Sequence, residues 1–199
     1  GAFLLHAYER FDAKLKETVP DSFVRHEQIL SRHLYGCDID PLSVLCTKLL
    51  LSLKHRKVFF SPNILCQDVL LDPPWKNEEF DLVITNPPYV GHKLLHTEYI
   101  KLLQQKYKEV FENKSDLSFC FVALAQKLLK KNGTIAFFTS RYFLEAYSSA
   151  KLRAFLLKHF TFQHIIDFYG VRILKGIGID SLIFVARNHP PSKKDTIEV

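Results

Sequence analysis

Apolar positions along this chain follow two periods. At the start, Leu4, Tyr8, Phe11 and Leu15 recur at intervals of four, three and four, which lays one stripe along a helix beginning at about Gly1. Later apolar runs are short, continuous and rich in β-branched and aromatic residues, near 34–38, 63–68, 80–85, 134–139, 162–168 and 181–186, the signature of buried strands. Between them lie helix signals. Asp40-Pro41 predicts a helix to about Lys54, with Asp at the N-cap and Pro at the first helical position. Ser115-Asp116 predicts a helix over Leu117 to Lys131, and Asn132-Gly133 then turns the chain into the next strand. Another helix is expected to end near His159. Strands alternating with helices in this way predict a doubly wound α/β domain.

The run over Phe80 and 82–85 reads as a central strand of a parallel sheet covered on both faces, and it stops on Asn86-Pro87-Pro88-Tyr89. Neither proline has an N–H to continue a ladder. Each also forces the residue before it out of the helical region, so Asn86 and Pro87 are expected to be extended with their oxygens outward. This ending suits the methylation of an amino group. A planar amine on a nucleobase or carboxamide is a poor nucleophile because its lone pair is delocalised. Two fixed acceptors, the Asn86 side-chain oxygen and the Pro87 carbonyl, could each take one N–H and draw the nitrogen toward a tetrahedral state without reorganisation during reaction. Tyr89 offers a flat face for stacking, worth roughly 1–3 kcal/mol per base. The bland alternative is a strand breaker with Tyr89 capping the core. Asp72-Pro73-Pro74-Trp75 has the same order of residue types, but no long apolar strand leads into it, and it reads as a turn.

Asn-Pro-Pro-Tyr after a strand of this type resembles the catalytic motif of class I, S-adenosylmethionine-dependent amino-methyltransferases, especially the gamma-class adenine DNA methyltransferases of type II restriction-modification systems. Gly1-Ala2-Phe3-Leu4-Leu5 is similar to the end of that family's glycine-rich cofactor loop. The resemblance therefore implies a Rossmann-like core lacking its first strand and the rest of that loop, the strand belonging between those that end at Asp38 and at Asn86. Leu34-Tyr35-Gly36-Cys37-Asp38-Ile39-Asp40-Pro41 resembles the second motif, which gives Asp38 the ribose hydroxyls and leaves Asp40 to cap a helix. Asn63-Ile64-Leu65-Cys66-Gln67-Asp68-Val69-Leu70 resembles the third, with Asp68 accepting the cofactor's adenine amine while Ile39 and Val69 pack on its ring. The implied cofactor is S-adenosylmethionine, and the implied partner is double-stranded DNA with a flipped adenine. Rivals are methylation of a protein glutamine, methylation of RNA, and a non-catalytic DNA-binding remnant. There is one departure. The family's second base-packing aromatic has no counterpart over 173–180, where Leu174 stands, and Phe168 and Tyr169 come a few residues early.

Bulk properties add bounds. The 199 residues carry a net charge of +6, a balance that favours an anionic partner. Lys54-His55-Arg56-Lys57 and the lysines at 101, 106, 108, 127, 130 and 131 read as solvated faces. The four cysteines are isolated and expected to be reduced core residues. His92 and His96 have a helical metal-binding spacing but no third ligand, so no metal is expected. No signal or membrane segment is visible, which makes the cytoplasm the default. Residues 1–187 are expected to be the catalytic core and 188–199 a linker toward a target-recognition domain. Oligomeric state leaves no mark in the sequence.

Overall fold

The structure, a computed structural model, describes residues 1–55, 61–112, 114–171, 180–193 and 195–197. It divides into two compact units, Gly1–Pro74 and Trp75–Val199.

In the first unit, helix α1 (Ala2–Leu15) lays the predicted stripe of Leu4, Tyr8, Phe11 and Leu15 against Ile29, Leu30, Leu34, Val44, Leu51 and Ile64. Helix α2 (Ser22–Gln28) was not expected. Its signal is Asp21, whose carboxylate accepts the N–H groups of Phe23 and Val24 at 2.8 and 3.1 Å. Arg25 is buried between these helices, with Nε 2.9 Å from Asp12 and a terminal nitrogen on the Val19 and Pro20 carbonyls. Strands β1 (Tyr35–Asp38) and β2 (Asn63–Cys66) pair in parallel, with Asp38 opposite Cys66. Gly36 is needed for this packing, since a Cβ there would stand 2.8 Å from Leu4 Cδ1 and 3.0 Å from Ile64 Cδ1. Helix α3 (Pro41–Ser52) begins as expected, with Asp40 accepting from the Leu42 and Ser43 N–H groups.

The second unit contains β3 (Phe80–Thr85), α4 (Thr97–Lys106), α5 (Ser118–Leu128), β4 (Leu129–Ser140), α6 (Ala150–His159), β5 (Thr161–Asp167) and β6 (Ser181–Arg187). The sheet order is β3-β4-β6-β5; β3 and β4 are parallel, whereas β6 runs antiparallel to both β4 and β5. Phe137 of β4 stacks on Phe184 of β6 at 5.3 Å, and Phe143 and Phe162 meet the Phe184 ring edge-on. Burial alternates along β4, with Gly133, Ile135, Phe137 and Thr139 inside. That is the period of a strand with one face on the core.

Several expectations need correction. Among the described residues β3 pairs with β4 alone and so lies at a sheet edge, and Leu82 and Ile84 are 49% and 41% exposed, so it is not covered on both faces. Among the described residues β1 likewise pairs with β2 alone. α5 ends at Leu128 rather than Lys131, because Asn188 captures the backbone that follows: its side-chain amide donates to the Gln126, Leu129 and Lys130 carbonyls. Asn132 then takes a left-handed φ of 64° inside the strand rather than at a helix end. A Cβ on the adjacent Gly133 would meet the Lys130 and Phe80 carbonyls at 3.0 Å. The same hydrogen bonds, with His189 against the Thr161 hydroxyl, tie 188 and 189 to the sheet. Of the four cysteines, Cys120 is buried but Cys46 and Cys66 are exposed. Among the described residues no three metal-ligating groups converge, and no helix is long and apolar enough to cross a membrane.

Candidate active site

The Asn86-Pro87-Pro88-Tyr89 segment leaves the sheet where Thr85 of β3 lies opposite Phe137 of β4. Asn86 and Pro88 are exposed, Tyr89 is half-buried and Pro87 is buried, so of the two residues expected to face outward only Asn86 does. The Tyr89 hydroxyl lies 2.5 Å from Asn86 Oδ1 and 3.1 Å from the Phe138 carbonyl of β4. The one phenolic proton is shared between these two acceptors, with the Asn86 amide the nearer. A carbonyl oxygen has two lone pairs, so Asn86 Oδ1 retains acceptor capacity for a second donor. Burial, and then the charge of Asp116, push Tyr89 up to about 12, which keeps its hydroxyl a neutral donor. Just beyond the motif, the Leu117 N–H donates to the Val90 carbonyl and Gly91 bridges Asp116, tying the segment to the start of α5.

Asp38 and Asp68 of the first unit lie at the same end of its parallel strand pair. Asp38 ends β1 and is exposed; its Oδ1 accepts the Asp40 N–H at 3.0 Å and its carbonyl accepts the Gln67 N–H at 3.0 Å. Asp68 lies two residues beyond β2, with Oδ1 accepting the Leu70 and Leu71 N–H groups at 2.9 and 3.3 Å. Each carboxylate is therefore oriented through Oδ1. Ile39, beside Asp38, is 69% exposed, and Val69, beside Asp68, is half-buried. Gly1 caps α1, and Ala2 and Phe3 are exposed in its first turn.

One cluster has no sequence signal, because its two halves, Arg141 with Glu145 and Asp167 with Tyr169, come from segments whose key pair, Arg141 and Asp167, is 26 residues apart. Arg141, just past β4, places Nε 3.1 Å from Asp167 at the end of β5 and a terminal nitrogen 3.0 Å from Glu145. Its guanidinium carbon is 5.4 Å from the centre of the Tyr169 ring. Leu174 falls outside the described residues, as does most of the segment around it, and the side chain of His92 is not described either.

This fold has known counterparts. The EcoKI M protein of a type I restriction enzyme superimposes with a TM-score of 0.66 at 16% identity, over 97% of this chain and 38% of that one. A Listeria monocytogenes protein assigned to the class I S-adenosylmethionine-dependent methyltransferases does so with a TM-score of 0.62 at 19% identity, over 88% of this chain and 53% of that one. The fold is that of a class I methyltransferase. Residues 32–173 match the Eco57I restriction-modification methylase family, and the chain belongs to that family. Among its relatives is the type II methyltransferase M.BstVI of Geobacillus stearothermophilus, 31% identical over 91 residues, which are 46% of this chain and 16% of that protein.

The first unit suits the cofactor of this fold. Hydroxyl and amine donors need oriented acceptors, and Asp38 and Asp68 provide two at neighbouring strand ends, each beside an aliphatic side chain that a flat ring can cover.

Proposed function

We propose that this chain is the catalytic core of an adenine-specific DNA methyltransferase that uses S-adenosylmethionine and works in a restriction-modification system. The observation that carries this reading is the Asn86-Pro87-Pro88-Tyr89 strand end, where an exposed amide oxygen is held by the hydroxyl of the ring beside it. Asn86 Oδ1 accepts one N–H of the adenine amine and the Pro87 carbonyl accepts the other, which localises the nitrogen lone pair. Pro87 is buried beside the exposed Asn86, and a carbonyl in such a water-poor setting makes a stronger hydrogen bond than one in water. Tyr89 stacks on the base. The base must be flipped, because inside the duplex its amine is paired and edge-on.

S-adenosylmethionine supplies a methyl group already activated as a sulfonium. No carboxylate base is needed, and the amine proton leaves to water after transfer. Asp38 would hold the ribose hydroxyls and Asp68 the cofactor's adenine amine, with Ile39 and Val69 covering its ring and Gly1, Ala2 and Phe3 toward its amino-acid end. The membership of the chain in the Eco57I family and the type II relative M.BstVI support DNA as the substrate. Transfer of a tritiated methyl group, tried on duplex DNA, RNA and a release-factor-like protein, tests the reading. Label on duplex DNA recovered as N6-methyladenine is expected. Label on a protein glutamine or on RNA alone overturns it.

A further inference from the structure

Three tyrosines of the second unit present their rings to solvent: Tyr142 at 64%, Tyr147 at 96% and Tyr169 at 80% exposure. Among the described residues, Tyr169 is the one of these with a cation against its ring, the Arg141 guanidinium at 5.4 Å. Arg141 is itself pinned by Asp167 and Glu145. Asp167 also accepts the Tyr169 backbone N–H at 3.0 Å, in a turn where Tyr169 takes a φ of 35°. Left-handed backbone is disfavoured for a residue with a bulky side chain. Neither that strain nor an apolar ring left in water helps the unit to fold. The turn instead presents one face of a ring whose other face is backed by a fixed cation.

We infer that Tyr169 is a stacking surface for an unpaired nucleobase other than the one presented to Asn86; this rests on the DNA reading above. The turn follows β5, which lies at the same end of the sheet as Thr85 because Asp167 pairs with Leu182 of β6 and Ser140 of β4 with Ser181. The Tyr89 hydroxyl lies at the Phe138 carbonyl of β4, and the order β4-β6-β5 leaves two strand spacings from there to β5, or about 10 Å, more than the roughly 4.5–7 Å between stacked ring centres. Arg141 reaches from β4 toward Asp167, away from β3, and so holds the ring on the β5 side. One base lying on Tyr89 is thus out of reach of Tyr169, while a neighbouring nucleotide of the opened strand is within it. The ligand is a base rather than a phosphate, because Asp167 and Glu145 already offset the Arg141 charge and would repel an anion. What remains on offer is the neutral π face.

The test is equilibrium binding of the whole protein to short duplexes containing its target site. Tyr169→Ala is expected to weaken binding about 5- to 150-fold, the span that stacking one base on an aromatic ring provides, while Tyr169→Phe keeps wild-type affinity. The loss should be the same on DNA whose target base has been removed, and should vanish when the bases flanking the target are removed instead. Tyr169→Leu, which keeps bulk without a π face, should lose as much as Tyr169→Ala and serves if that variant does not fold. A loss that disappears with the target base would place Tyr169 on the target and overturn the inference, as would unchanged binding by both variants. If the wild-type protein methylates DNA and only these results fail, the stacking site is wrong; if the wild type transfers no methyl group to DNA, both readings fall together.

Discussion

Two segments of this chain spell nearly the same sentence and do different things. Asp72-Pro73-Pro74-Trp75 and Asn86-Pro87-Pro88-Tyr89 each offer an acceptor, two prolines and an aromatic ring. The first sits among turns: the Asp72 N–H donates to the Asp68 carbonyl, the Gln67 side chain donates to the Asp72 carbonyl, and the Trp75 ring meets Phe80 edge-on at 5.3 Å. The second leaves a six-residue strand directly, and its ring is anchored by a hydroxyl to the neighbouring strand while Asn86 stays exposed. What separates them is the strand. A parallel pair with β4 fixes where the backbone ends and so aims the amide, whereas a turn held by its own carbonyls spends those groups on itself.

The sharpest break of the comparison is Asn86→Ala, which should slow methyl transfer about 10²–10³-fold with little change in cofactor affinity, the usual result of losing one preorganised polar partner. Single-turnover kinetics checks it, and near-normal transfer would remove Asn86 from the mechanism. Next come the two rings. Trp75→Ala should cost about 1–3 kcal/mol of stability by emptying a partly buried ring site, read by urea unfolding. Tyr89→Ala should instead alter the fluorescence of DNA carrying 2-aminopurine at the target adenine, which brightens when the base leaves the stack. A flat signal on a demonstrably methylated site would sink stacking on Tyr89.

A smaller effect is expected on the pH axis. Tyr89 is raised from 10.0 to about 12, so the fold favours its protonated form; that contribution is complete below the unfolded value and is lost as pH rises from about 10 through 12. The ratio of wild-type to Tyr89→Phe transfer rates should therefore stay constant from about pH 7 to 10, since ordinary phenols titrate only near the top of that range. A ratio that falls near pH 9 would mean that the hydroxyl is not held as described. Smallest of all, Asp72→Ala should leave transfer almost unchanged, and a large loss there would reverse the assignment of the two segments.

Residue order alone settled what local chemistry controls. The stripe from Leu4 to Leu15, the Asp40 cap with Pro41 behind it, the stop at Pro87-Pro88 and the turn at Asp72 are each decided by neighbours within one or two helical turns, where periodicity, missing N–H groups and caps act. Tertiary structure decided the rest. β3 looked like a covered central strand because its residues are apolar, but its place in the sheet depends on which strands lie beside it, and among the described residues only β4 does. Asn132-Gly133 looked like a helix end until Asn188, remote in sequence, bound the carbonyls that the helix would have used. Arg141, Asp167 and Tyr169 form a cluster only because β6 runs between their strands and brings the two ends together. Groups far apart along a chain meet through packing and strand pairing, and neither is written in any short window of the sequence.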